Sequence, residues 1–320
     1  MVHARAFSFT DDAISVALPA LARTGTGSKS RSAAPDPSIH LFKLRRLQSG
    51  WYQTLFQCNR NDPLPDATSF IWKRCLEMRE WSESLPEGLP VDLREMLDLE
   101  LRYSYVYCIA PSSRTPDMTA YGRMLIFEHS IAYIDRIYEV SHNGRSSAFY
   151  TYHDALRVYF MGSQFVAVLH DAADALLSAA GVSVPLAAPG QPPPPPVPER
   201  FAGSGEDNLD RSLRTVERVS LTLRKFGQRW GYALQLLGNF EMLSKDVMDG
   251  LGARRELRAQ TLGAEPIQSL QPPPLSQPSF LQRTQMPQHA PSQQAPSTQE
   301  VRWVDMGMGQ DFNGRLPNSR

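Results

Sequence analysis

Glu139 and His142 stand three residues apart, the spacing at which one helix offers a carboxylate and an imidazole to a carboxylate-bridged metal pair. Such a centre needs a second pair on a facing helix, and the sequence supplies none. The expectation for Glu128, Asp135, Glu139 and His142 is therefore a charged, solvated helix face. Gly162-Ser163 lacks the strand-turn-helix surroundings that expose a nucleophilic serine. His153-Asp154 and His170-Asp171 are adjacent in sequence, so the two members of each pair do not share a helix face. The run GTGSKS at Gly25–Ser30 has the composition of a phosphate loop without its Gly-Lys-Ser/Thr order or spacer, and reads as a linker. Lys43, Arg45 and Arg46 form the one basic cluster beside aromatic residues. Three charges are few for a nucleic-acid surface, and a solvated shoulder with arginine salt bridges is expected. No convergent polar set of a catalytic kind emerges. The expectation is a protein that is not an enzyme and holds no cofactor or metal of its own.

The element that organises these residues is Ile39–Phe56, IHLFKLRRLQSGWYQTLF. Leu41, Leu44, Leu47, Trp51 and Leu55 recur at a helical period on one side, with Lys43, Arg46, Gly50 and Gln53 opposite. Gln48 falls inside the apolar stripe, where an amide needs a partner from a neighbouring element. Asp66 can cap a second helix to about Ser84, offering Ile71, Trp72, Cys75, Met78 and Trp81 for packing. A third spans Leu93–Ile109, its second half nearly free of charge, and a fourth spans Thr119–His142. Thr151 with Asp154 fits a capping box at the start of a fifth, which runs to Gly181. After Asn208, Val216, Leu223, Trp230 and Leu237 lie seven apart beside Val219, Phe226, Ala233 and Phe240. That double row predicts one wide-striped core helix in which Gly227 and Gly231 admit a close neighbour.

Between the last two of these helices, eight of the fourteen residues from Pro185 to Pro198 are proline. Residues 184–207 are expected to form a disordered insertion, a solvated polyproline-like excursion. The only extended pattern is Ala13–Leu18, within an irregular arm at 1–37. The fold class is all-α: an irregular helical domain over 38–255, interrupted by the proline-rich loop. Residues 256–320 form a Gln/Pro/Ser-rich tail. From Ala264 to Glu300 only Glu265, Arg283 and Glu300 are charged and large apolar residues are few, so ordering that segment is not offset by burial. One island, Glu300–Phe312, interleaves acidic and bulky apolar residues.

Lysines plus arginines equal aspartates plus glutamates, at 33 each, so no global field favours nucleic acid or an anionic membrane surface. Cys58, Cys75 and Cys108 are odd in number and widely spaced, as expected of small buried hydrophobes in a reducing compartment. No charged start precedes a long apolar run, and Val158–Leu169 is too short to span a bilayer. A soluble intracellular protein with no membrane partner is expected.

Five stretches, taken in order, resemble the all-helical middle homology (fungal-specific transcription factor) regulatory domain of fungal binuclear zinc-cluster transcription factors. They are RAFSFTDDAISVALP at Arg5–Pro19, HLFKLRRLQSGWYQTLF from His40, DLELRYSYVYCIAPSS at Asp98–Ser113, YTYHDALRVYFMGSQFVAVL at Tyr150–Leu169, and LRKFGQRWGYALQLLGNFEML at Leu223–Leu243. The similarity covers about Arg5 to Leu251. Ala6 stands where the family usually has proline. The family's DNA-binding module holds two zinc ions with six closely spaced cysteines. Three cysteines spread over fifty residues do not make that module, so zinc and direct DNA contact are not carried over. The likeness begins part-way into the family's domain, which implies a truncated gene product or a shortened relative without its own DNA reader.

What the resemblance implies is a nuclear transcription regulator reduced to its regulatory part. It would act through transcription machinery or co-regulator proteins, with an effector molecule or a homo- or heterodimer as further options. DNA would be reached only through a missing module or a partner. Arg45, Arg46, Gln48, Trp51 and Trp230 are the candidate regulatory and packing positions. Trp303, Val304, Met306 and Phe312 are the candidate activation anchors in the tail. The alternative is a co-regulator that dimerises with a full-length relative and never touches DNA.

Overall fold

The computed structural model describes residues 37–57, 62–142, 151–178, 182–198 and 206–263. The arm at 1–36, Cys58 and the activation anchors of the tail lie outside the described residues. The chain divides into two compact units, 1–256 and 257–320, and only 257–263 of the second is described.

Among the described residues the fold is all-α, with seven helices. Helix α1 spans Pro37–Tyr52 and passes into a π-helical turn, Gln53–Gln57. There follow α2 (Ala67–Glu83), α3 (Val91–Ile109), α4 (Ala120–His142), α5 (Tyr152–Leu177), α6 (Asn208–Gly227) and α7 (Tyr232–Gly263). An isolated bridge between Ser112 and Thr115 is the one β-type pairing described.

Local chemistry accounts for the boundaries. The Asp66 carboxylate accepts from the Ser69 amide at 3.0 Å and opens α2, leaving fewer orphan donors in its first turn. Asp207 does the same for α6 through the Asp210 amide, at 2.9 Å. At α5 the Thr151 amide donates to Asp154 Oδ2 at 2.7 Å, the reciprocal half of a capping box. The fifth helix ends at Leu177, short of the expected Gly181, and Ala172 leaves helical geometry within it.

Helix α4 is the central element, packing against α3, α5 and α6. Its buried residues run around nearly the whole circumference, as a helix enclosed by neighbours requires. Phe127 stacks on Phe165 of α5 with centroids 5.3 Å apart. Helices α1 and α2 pack against each other and against α3. Gly162 marks the tightest crossing: a Cβ there would stand 2.9 Å from both Val219 Cγ1 of α6 and Phe240 Cε2 of α7. Gly162→Ala is expected to cost about 1–3 kcal/mol by overpacking. Urea denaturation of the full chain checks this; an unchanged midpoint would mean that the crossing relaxes freely.

Three expectations are corrected. The single helix after Asn208 is two, because α6 ends at Gly227 and α7 begins only at Tyr232, with a turn between them. Leu234 occupies the space a side chain at Gly227 would need, so this glycine serves the corner and not a passing helix. Around Gly231 a Cβ meets nothing. The row of residues seven apart therefore bridges a bend. Second, α7 continues to Gly263, so residues 256–263 are helical and not part of an unstructured tail. The sequence ARRELRAQ is made of good helix formers and extends the helix once it has begun. Third, the proline-rich run is not wholly solvated. Pro195 is buried, Val197 packs on the core, and the Tyr121 hydroxyl donates to the Pro195 carbonyl at 2.6 Å. A polyproline segment has little chain entropy left to lose, so a few contacts suffice to hold it.

Candidate functional site

Helix α1 buries Leu44, Gln48 and Trp51 completely, and the π-helical turn after it buries Leu55. The amide at position 48 thus sits at the centre of the apolar stripe, and its polar atoms must be satisfied there. Gln48 Nε2 donates to Ser104 Oγ of α3 at 2.6 Å, and Arg45 Nη1 donates to Gln48 Oε1 at 2.6 Å. The Ser104 hydroxyl in turn donates to the Glu100 carbonyl one turn earlier, at 2.5 Å. The amide is spent on both sides.

The Glu100 carboxylate joins three helices. Arg157 of α5 lies 2.7 Å from Oε1, and Arg45 of α1 lies 3.1 Å from Oε2. Burial raises the Glu100 carboxyl, but Arg157 and then Arg45 outweigh it and hold it below the usual carboxylate range. Burial also lowers Arg157, which Glu100 more than reverses. The Arg157 guanidinium stands over the Tyr103 ring, 5.2 Å from its centroid, and burial pushes the Tyr103 hydroxyl up to about 12. The Glu100 carboxylate therefore stays ionised at physiological pH between two guanidiniums, and Arg157 also faces Asp154 at 3.5 Å. The arrangement holds three helices in one register; it has no open acid, base or nucleophile.

Beside this network Trp51 meets Tyr107 with centroids 5.7 Å apart, and Tyr107 stacks on Phe160 of α5 at 4.9 Å. The indole N–H of Trp51 has no hydrogen-bond partner. The π-helical turn that follows carries Phe56 onto the same aromatic wall, 5.2 Å from Tyr107. Arg45, Gln48 and Trp51 are therefore brought together. Arg46 is exposed on α1. Trp230 lies in the α6–α7 corner, half-buried against Phe226 and beneath Arg229, so the fold does not bring it to this network.

No protein-family model matches the sequence, and no curated protein or solved structure matches it.

Glu100, Ser104 and Arg157 were not singled out from the sequence. The available signal was a lone carboxylate on the face shared by Leu97, Leu101 and Ser104, since a charge inside an apolar stripe requires a partner. The acidic face of α4 is a correction of a different kind. Glu128 and Asp135 are buried, not solvated. Arg211 of α6 grips Glu128 with two bonds of 3.0 and 2.6 Å, while Arg218 reaches Asp135 at 2.7 Å. Seven residues separate the two acids and seven separate the two arginines, so two helical turns match two helical turns. Glu139 pairs with Arg136 one turn back, and His142 stacks on Tyr138. Among the described residues no cluster of His, Cys, Asp or Glu is arranged to hold a metal ion.

Cys75 and Cys108 are buried free thiols, and burial followed by the hydrogen bond to Cys108 pushes the Cys75 thiol up. Fully buried thiols within a helical core do not fit the ligand set of a binuclear zinc cluster. No described helix is long and apolar enough to cross a membrane.

Gln48→Leu is expected to cost about 1–3 kcal/mol, because Ser104 and Arg45 each lose a buried partner. Urea midpoints of the full chain measure this. A neutral result would mean that the amide has no structural part to play.

Proposed function

We propose that this chain is a transcription regulator of the fungal zinc-cluster type, represented by its helical regulatory part and a recruiting tail, and working in the nucleus. One observation carries the reading. Arg45 and Gln48 come from the first-helix stretch that resembles the family, Glu100 and Ser104 from the third-helix stretch, and Arg157 from the fifth. Residues of three of the resembling stretches meet in one buried network, so the stretches that carry the likeness are also ones that pack together.

In this reading the helical domain is non-catalytic and presents its surface to co-regulators, while Trp303, Val304, Met306 and Phe312 anchor transcription machinery to the tail. Short acidic-apolar segments suit weak binding coupled to folding. Fusing residues 263–320 to a heterologous DNA-binding domain tests the tail: reporter output is expected, and none would remove the activation role.

A second reading is favoured by the two buried thiols. With Cys75 and Cys108 committed to the core, neither thiol is offered to a zinc cluster, which suits a co-regulator that dimerises with a full-length relative. Transcript mapping upstream of Met1 separates the two, because an in-frame six-cysteine segment would restore direct DNA binding.

A further inference from the structure

The turn Ala188–Gln191 closes with the Gln191 amide donating to the Ala188 carbonyl at 3.0 Å, Gly190 adopting a φ of 82°. Proline at the second position and a left-handed glycine at the third are the requirements of a type II turn. The turn feeds Pro192–Pro198 onto α4. There the Tyr121 hydroxyl bonds the Pro195 carbonyl at 2.6 Å and His129 Nε2 bonds the Pro196 carbonyl at 3.1 Å. Tyr121 and His129 are eight residues apart on α4, about 12 Å along its axis. Their side chains converge on consecutive carbonyls, so the segment crosses the helix between them. Both rings are buried and backed by aromatics, Tyr121 by Trp72 at 6.4 Å and His129 by Tyr105 at 5.0 Å.

The chemistry of this face selects its occupant. A run of prolines has carbonyl acceptors and no N–H donors. Any other backbone laid here would bring N–H groups needing acceptors. Tyr121 and His129 each use a hydrogen donor, and His129 Nδ1 has no partner. Aromatic walls with one or two donors are how globular domains recognise polyproline II segments. Val197 adds an aliphatic anchor after the paired carbonyls.

We propose that the α4 face bearing Tyr121 and His129 is a binding surface for Pro-Pro-aliphatic segments of partner proteins, which the chain's own Pro192–Pro198 occupies in cis. Tethering gives the internal segment an effective concentration in the millimolar range. A partner peptide therefore gains the face only when the internal segment is withdrawn or when it is itself multivalent.

The test uses the full chain with residues 192–197 replaced by a Gly-Ser stretch of equal length. It is titrated with a labelled peptide, Gln-Pro-Pro-Pro-Pro-Pro-Val-Pro-Glu, by fluorescence anisotropy. Binding at least tenfold tighter than to the unaltered chain is expected, with Tyr121→Phe in the replaced chain abolishing the gain. Equal affinity for both chains, or a gain indifferent to Tyr121→Phe, would overturn the proposal. If the replaced chain shows no cooperative melt, Val197→Asp in the otherwise intact chain is titrated in the same way, with the same outcomes. Loss of folding in both would also overturn it, because the segment would then be part of the folding core and not an exchangeable ligand.

Discussion

Arg211→Leu is expected to destabilise the folded domain by about 3–5 kcal/mol, the loss associated with stranding a buried carboxylate. Arg211 and Glu128 are both buried, and their two parallel bonds are the main polar tie between α4 and α6. The guanidinium also stands over the Phe127 ring, whose centroid lies 5.8 Å away. Removing it takes from buried Glu128 the two charge-assisted bonds that Arg211 supplies. The double variant Glu128→Leu/Arg211→Leu is expected to regain most of the loss, since two apolar side chains replace two desolvated charges. Urea unfolding of wild type, both single variants and the double variant gives the coupling directly. A single-variant loss below about 1 kcal/mol, the range of exposed pairs, would mean that water reaches the pair.

Acidification is expected to weaken the fold well before ordinary carboxylates titrate. Burial, aided by Arg102, lowers His129 from 6.5 to about 3. The folded chain therefore keeps this imidazole neutral while the unfolded chain protonates it. Stability is fully present above pH 6.5 and falls as pH drops from there toward 3, by up to about 1.4 kcal/mol per unit. At pH 4.5 the loss from this one group reaches about 2–3 kcal/mol. Glu100, held below its ordinary value, adds a loss of the same sign at lower pH. His129→Gln keeps an N–H donor for the Pro196 carbonyl and does not titrate. Its urea midpoint is expected to vary less between pH 6.5 and 4.5 than that of wild type. Parallel pH profiles for the two proteins would show that His129 is solvated.

Much of the fold was legible because its signals are local. Asp66 and Thr151 with Asp154 mark helix starts within three residues, and the stripe from Leu44 to Leu55 reads the packing face of α1 without knowledge of what covers it. Gln48 could be recognised as buried for the same reason. Its partners could not, since Ser104 lies 56 residues away and nothing in either stretch specifies the other. The bend at Gly227–Gly231 was hidden by apolar spacing that continues across it, although two glycines beside Arg-Trp hold little helix propensity. The acids of α4 read as solvated because each needs an arginine from α6, a pairing set by tertiary register. The proline run concealed its docking in the same way: composition fixes its conformation, while Tyr121 and His129 decide where it rests.

The central claim, that the helical domain regulates transcription through protein contacts, is tested most directly by tethering. The full chain, and separately residues 263–320, are fused to a heterologous DNA-binding domain and compared on one reporter. Both fusions are expected to change transcription relative to the DNA-binding domain alone, with the helical domain shifting the output of the tail. Reporter output equal to that of the DNA-binding domain alone for both fusions would contradict the claim.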